Sequence, residues 1–248
     1  MRIEILIHPT CATSYKVVKH LHSKGLLDRV ELAPTSRPAS AFKARVWSVP
    51  WIIVDGIPAA TDPVTPEEAE SIVREGRAEI PEDPEKAFME TVLHSAYAAS
   101  VAVVHDSIAP VLDEDLASAA LRTPLGGPDP GQLRVDDNLY REWRNMLVRA
   151  LAISLVREIW WTTRGHPPSI EGLGNLEALA GTWLLAKASI GRAGLPGDPS
   201  RGEAVGAREL AEFLSKAYKS LVRRIEREQK TILGDREYWR LVEDLGLA

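Results

Sequence analysis

The feature that most constrains the fold of this 248-residue chain is the change in hydrophobic period across Pro9. Residues 2–8, RIEILIH, are apolar and β-branched, as a buried strand requires, and Pro9 blocks their smooth continuation. From Thr10 onward Tyr15, Val18 and Leu21 or His22 recur at helical spacing, and Gly25 stands just past the end of that pattern. The chain therefore opens with a strand, a tight turn holding Cys11, and a helix. Cys11 is also the sole cysteine, so no disulfide forms within a monomer and stability must come from packing.

The next residues predict a compact continuation. Arg29–Leu32 reads as a short strand, Pro38–Val46 as a short helical segment, and Val49–Val54 as an apolar strand entered through Pro50. Asp55-Gly56 is a hairpin-turn signal, so Ile57–Ala60 should return antiparallel. Thr65-Pro66-Glu67-Glu68 opens a helix with a capping threonine, proline at the first position and acidic residues at the positive dipole end. The order is β-α-β-α-β-β-α in about 75 residues.

The strand followed by Thr10-Cys11-Ala12-Thr13-Ser14, the Val49-Pro50 step and the Asp55-Gly56 hairpin together resemble the thioredoxin superfamily, with a size and order similar to glutaredoxins. The resemblance implies a thioredoxin-like α/β fold for roughly the first third of the chain. It also implies a cis peptide bond before Pro50, with that proline lying against Cys11, and a redox role for the thiol. Pro9-Thr10 stand where that family carries a basic residue, and Ala59-Ala60 where it carries Gly-Gly, whereas Thr61-Asp62 matches the polar end of that loop.

Beyond Gly76–Lys86, a charged and proline-rich stretch, the pattern is helical. Helices are predicted from an Asp83 cap to about His105, over Pro110–Leu121, from about Asp137 to Arg164, over 169–190, near 207–233 and around Tyr238–Leu245. GGPDPG at 126–131 and a Gly/Pro-rich loop at 191–206 separate some of them. The expected division is a thioredoxin-like domain at 1–78, a linker at 79–86 and an all-α domain at 87–248. This layout is similar to that of glutathione transferases.

The chemistry expected of this arrangement runs through Cys11. A thiol at a helix N-terminus faces unpaired N–H groups and the positive dipole end, which favour the thiolate. His8 could add a positive charge. Ser14, three residues on, can donate to a thiolate but cannot resolve a mixed disulfide, so a self-contained dithiol cycle is excluded. Cys11 and Ser14 are the candidate catalytic residues, and Thr10, Val49, Pro50, Thr61 and Asp62 the candidate substrate contacts. The Val49 backbone is suited to pairing with an extended thiol peptide. The expected function is monothiol redox or transferase chemistry through a mixed disulfide or thioether. Its partner would be a small thiol such as glutathione or a protein thiol or disulfide, with no cofactor required. The rival is a non-catalytic thioredoxin-fold scaffold.

Other signals are weaker. Net charge of −5 gives no global attraction to nucleic acid. On the helix near 207–233 a ridge of Lys216, Lys219, Arg223, Arg227 and Lys230 is diluted by Glu226 and Glu228, and a charged face is ordinarily solvated, which argues against nucleic acid as a partner. Histidine spacing suggests no metal site, and Trp160-Trp161 reads as packing. No apolar run reaches membrane-spanning length and the N-terminus lacks a signal-peptide core, so a cytoplasmic protein is expected, with a homodimer left open. Few glutamines and many Glu, Arg and Pro lean toward a thermophilic source.

Overall fold

A computed structural model describes residues 1–35, 46–191 and 206–247. The helix expected at Pro38–Val46 and the loop expected at 191–206 lie outside the described residues except at their ends. The strands are β1 (Ile3–Ile7), β2 (Glu31–Pro34), β3 (Trp51–Val54) and β4 (Ile57–Thr61). They form one mixed sheet in the order β2-β1-β3-β4, with β1 parallel to β2 and antiparallel to β3, and β3 antiparallel to β4. Among the described residues the helices are α1 (Ala12–Ser23), α2 (Pro66–Glu75), α3 (Pro84–His94), α4 (Ala96–His105), α5 (Glu114–Leu121), α6 (Asp137–Thr162), α7 (Leu176–Gly191), α8 (Ala207–Gly234) and α9 (Arg236–Asp244).

Local chemistry explains most boundaries. Asp55 and Gly56 both take positive φ, 49° and 86°, as a two-residue hairpin with the right-handed strand twist demands. The Thr65 hydroxyl accepts from the Glu68 N–H at 3.0 Å and caps α2. Where boundaries move from the expected positions, a cap or turn is responsible. The second strand begins at Glu31 because Leu27–Arg29 forms a 3-10 turn before the parallel register with β1 is taken up. The helix expected to run unbroken to His105 is divided at Ser95, whose hydroxyl caps α4 by accepting from the Ala98 N–H at 3.1 Å, and the two parts are bent by 101°. Asp113 likewise delays α5 by capping Leu116, and Asn175 delays α7 by accepting from Ala178 after the positive-φ Gly174.

The contacts divide the chain into two compact units that are not two contiguous segments. The first comprises 1–91, 113–134 and 229–248, the second 92–112 and 135–228. This grouping differs from the expected division at 79–86, because two later segments pack onto the N-terminal sheet.

In the first unit, one sheet face carries Ile3, Ile5, Ile7, Ile52 and Val54. It is packed against Val17, Val18 and Leu21 of α1 and Ala69, Ile72 and Val73 of α2, together with Ile232, Tyr238, Val242 and Leu247 from the end of the chain. A register shift between Ile52 and Ile53 lets the adjacent Ala59 and Ala60 both join this core. By strand alternation Leu6, Trp51 and Ile53 lie on the opposite face, and all three are buried. On β4 lies α5, whose Ser118 hydroxyl donates to the Pro58 carbonyl at 2.8 Å. Trp47 Nε1 donates to Asp113 Oδ1 at 3.1 Å.

Two polar anchors hold these later segments. Arg122, just after α5 and 8% exposed, donates to both Glu68 carboxylate oxygens at 2.8 and 3.2 Å and to the carbonyls of Ala119, Ala120 and Pro63. Asp235, the N-cap of α9, accepts from the Tyr238 N–H, the Tyr15 hydroxyl and Lys19 Nζ. The Lys19 contact first, then the Tyr238 N–H, holds its carboxyl down at about 2.

The second unit is helical. Its α4 is buried from Ala98 to Val104 and packs against α6 and α7, its alanines permitting close approach. Leu147, Leu151 and Leu155 of α6 and Leu210, Leu214, Leu221 and Ile225 of α8 are buried as their spacing predicts. Among the described residues no single helix is long and apolar enough to cross a membrane.

Arg122→Met removes the charge partner of a nearly buried Glu68, which should cost about 3 kcal/mol, read as a lowered urea midpoint. For Asp235→Asn the cap survives and only the ionic contribution goes, an expected loss of about 1 kcal/mol given the half-exposed Lys19. Because the folded pKa lies below the unfolded value, the difference between wild type and Asp235→Asn should be full at pH 7. It should close as the pH falls from about 5 toward 2, as urea titrations at pH 7 and pH 3 would show.

Candidate functional site

The end of β1 delivers the chain to a turn in which the Cys11 N–H donates to the His8 carbonyl at 2.9 Å. Cys11 is the N-cap of α1, in extended geometry with φ −74° and ψ 128°, and its carbonyl accepts the first helical bond from Tyr15. Its thiol makes no cap bond to the helix. Instead Sγ donates to the Val49 carbonyl at 3.3 Å, across from the first helical turn. The Val49–Pro50 peptide bond is cis, as is Asp62–Pro63.

The candidate residues named from the sequence come together here. Ser14 is fully buried, and its hydroxyl accepts from the His8 N–H at 3.4 Å. The buried Thr61 hydroxyl donates to the Pro50 carbonyl at 3.0 Å, tying β4 to the entry of β3. Asp62 accepts from the Thr13 hydroxyl at 3.2 Å, which puts a carboxylate beside the first turn of α1. Thr10 donates through its N–H to His8 Nδ1 at 3.3 Å, and its hydroxyl lies 2.9 Å from the same nitrogen.

The electrostatics differ from the expectation of a lowered thiol pKa. Burial of the sulfur raises the Cys11 pKa. The nearby Ser14 and Thr13 N–H groups and the Ser14 hydroxyl favour the thiolate and pull the other way, but the Asp62 carboxylate adds to the rise. The thiol is therefore held protonated at neutral pH. His8 supplies no compensating cation, because partial desolvation lowers its pKa and its Nδ1 faces the Thr10 N–H as an acceptor.

The groups that cover this turn come from the far end of the chain. Tyr238, 1% exposed, donates its hydroxyl to the Pro9 carbonyl at 2.9 Å, and Gln229 Nε2 donates to the Thr10 carbonyl at 3.3 Å. The Tyr15 and Tyr238 rings meet edge to face at 4.8 Å. Sequence reasoning missed these residues. Their partners lie about 220 positions away, and no local pattern joins them. A groove of about 260 Å³ is lined by Lys19, His22, Ser23, Glu237, Tyr238 and Leu241, and Cys11 does not line it. Among the described residues no group of three or more His, Cys, Asp or Glu is arranged to hold a metal ion.

Comparison with protein-family models, with curated proteins and with solved structures finds no match to this chain.

Proposed function

We propose that the N-terminal unit is a thioredoxin-like scaffold that acts by binding, with Cys11 serving as a half-buried structural thiol. The observation that supports this reading is the position of the Cys11 sulfur. It belongs to a half-buried residue, donates its proton to the Val49 carbonyl and stands near the Asp62 carboxylate. A nucleophilic thiol needs the opposite surroundings, with cations or unopposed N–H groups and access to solvent. The Val49 carbonyl, which would pair with an extended peptide, is engaged by Cys11 itself.

A second reading keeps the chemistry. Cys11 stands at the amino end of α1 beside Ser14 and Pro50, and the Ser14 and Thr13 N–H groups act to stabilise its thiolate. On that reading the Cys11 thiolate, once accessible, would attack a disulfide such as a glutathionylated protein thiol, forming a mixed disulfide with one sulfur and expelling the other as a thiolate. A second external thiol would then release it. No cofactor enters either reading.

Alkylation by iodoacetamide across pH 6–10 separates the two. The scaffold reading expects the folded protein to react at least about tenfold more slowly than free cysteine at pH 7.5, with the rate rising only above the ordinary thiol range and recovering fully in urea. It also expects Cys11→Ser to keep the fold. Fast reaction of the native protein below pH 7 would overturn it in favour of monothiol chemistry.

A further inference from the structure

The stretch 232–247 meets the N-terminal sheet and α1 through side chains alone. Among the described residues the backbone hydrogen bonds of 235–247 reach no further back than Ile232, whose carbonyl takes the Asp235 N–H at 3.2 Å. Trp239 Nε1 donates to the same carbonyl at 2.9 Å, and the Tyr238 and Trp239 rings meet edge to face at 5.7 Å, so the stretch is tied to itself. By contrast β1 is laced into the sheet by ladders on both sides. On the outer face of α9 Arg236, Glu237, Arg240, Glu243 and Asp244 are exposed, and among the described residues no element lies over them.

Among the described residues the polar attachments of 232–247 fall on Pro9–Lys19, the stretch that carries Cys11. The Tyr238 hydroxyl donates to the Pro9 carbonyl at 2.9 Å, and the Tyr15 hydroxyl and Lys19 Nζ donate to Asp235 Oδ2 at 2.8 and 2.5 Å. Burial raises the pKa of the Tyr238 hydroxyl, and the Cys11 sulfur is near enough that negative charge on it would add to the rise. The apolar attachment consists of Ile232, Tyr238, Val242 and Leu247, all buried in the core. Releasing the stretch therefore breaks these three hydrogen bonds and exposes these four side chains, and it opens no ladder of the sheet.

We propose that 232–247 is a releasable strap, which opens while the sheet stays folded and thereby controls access to Cys11 and the Pro9–Thr10 turn. An element held by few buried groups, sharing no backbone hydrogen bonds with its neighbours, opens at lower free energy than the sheet on which it lies. With its own contacts internal, it opens as a unit. The shut strap engages the Pro9 carbonyl and sets Tyr238 beside the sulfur, so the turn is offered to a partner only in the open state. A partner that binds the turn then shifts the population toward the open form. This inference deepens the scaffold reading and rests on it, because the half-buried thiol is quiet while the strap is shut.

Two measurements on the full-length protein test it, iodoacetamide labelling of Cys11 and backbone hydrogen exchange read by mass spectrometry, both from 0 to about 2 M urea. Labelling should track the exchange of peptides covering 235–247. Its urea slope should be less than about half that of the β1 and β3 amides, since the slope scales with the surface exposed. Tyr238→Phe keeps the ring and removes its bond to Pro9, and should speed both labelling and strap exchange about fivefold. Ser118→Ala removes one hydrogen bond between α5 and β4 and should leave both rates within about twofold of wild type. Slow labelling and strap exchange that share the full slope of the sheet would overturn the strap alone, as would equal acceleration by the two variants. Fast labelling of the native protein below pH 7 with no urea dependence would overturn the scaffold reading, and with it the strap's control of Cys11.

Discussion

The return of the last twenty residues to the first helix is the constraint on which the N-terminal unit depends. Tyr238 fills the space behind the Pro9–Thr10 turn and bonds the Pro9 carbonyl, while Asp235 gathers the Tyr15 hydroxyl, the Lys19 ammonium and the Tyr238 N–H of α9 at one carboxylate. With Ile232, Val242 and Leu247 these residues complete a core that the strands and first two helices alone would leave open on one side. Apolar burial supplies the larger part of the stabilisation, since each such side chain contributes on the order of 2 kcal/mol and a partly exposed ion pair less than about 1. The polar contacts fix where that burial occurs.

The same closure governs the thiol. At the end of a helix the dipole and free N–H groups stabilise a thiolate by about 1 kcal/mol, whereas removing a sulfur anion from water costs several. Where the N-cap is open to solvent the first effect prevails. Here Cys11 is half-buried, with its sulfur donating to the Val49 carbonyl and the Asp62 carboxylate nearby, and loss of water around the sulfur raises the thiol pKa. Residue type and helix position therefore point one way and the environment the other.

A comparable reversal occurs on α8. Glu228 stands among the cations of α8 in a linear reading, yet both its oxygens are taken by the Arg157 guanidinium of α6. Whether a charged face is diluted or concentrated depends on which acids find partners on neighbouring helices.

The amino-acid sequence by itself determined the elements whose causes are local. These are β1 and its stop at Pro9, the Asp55-Gly56 hairpin, the Thr65 cap of α2, and the apolar stripes of α6 and α8. It also brought forward Cys11, Ser14, Pro50, Thr61 and Asp62, which the sheet register gathers, because strand, turn and hairpin signals fix that register. It misplaced breaks such as Ser95, where a serine serves equally well as helix interior or cap until the packing of α4 demands a bend. Only the tertiary structure decided that 113–134 and 229–248 join the N-terminal sheet and that the half-buried Cys11 donates to the Val49 carbonyl. Only it decided that Glu228 pairs with Arg157. Each of these depends on contacts between residues far apart in the chain, and no periodicity or spacing encodes which distant surface will exclude water from a given group.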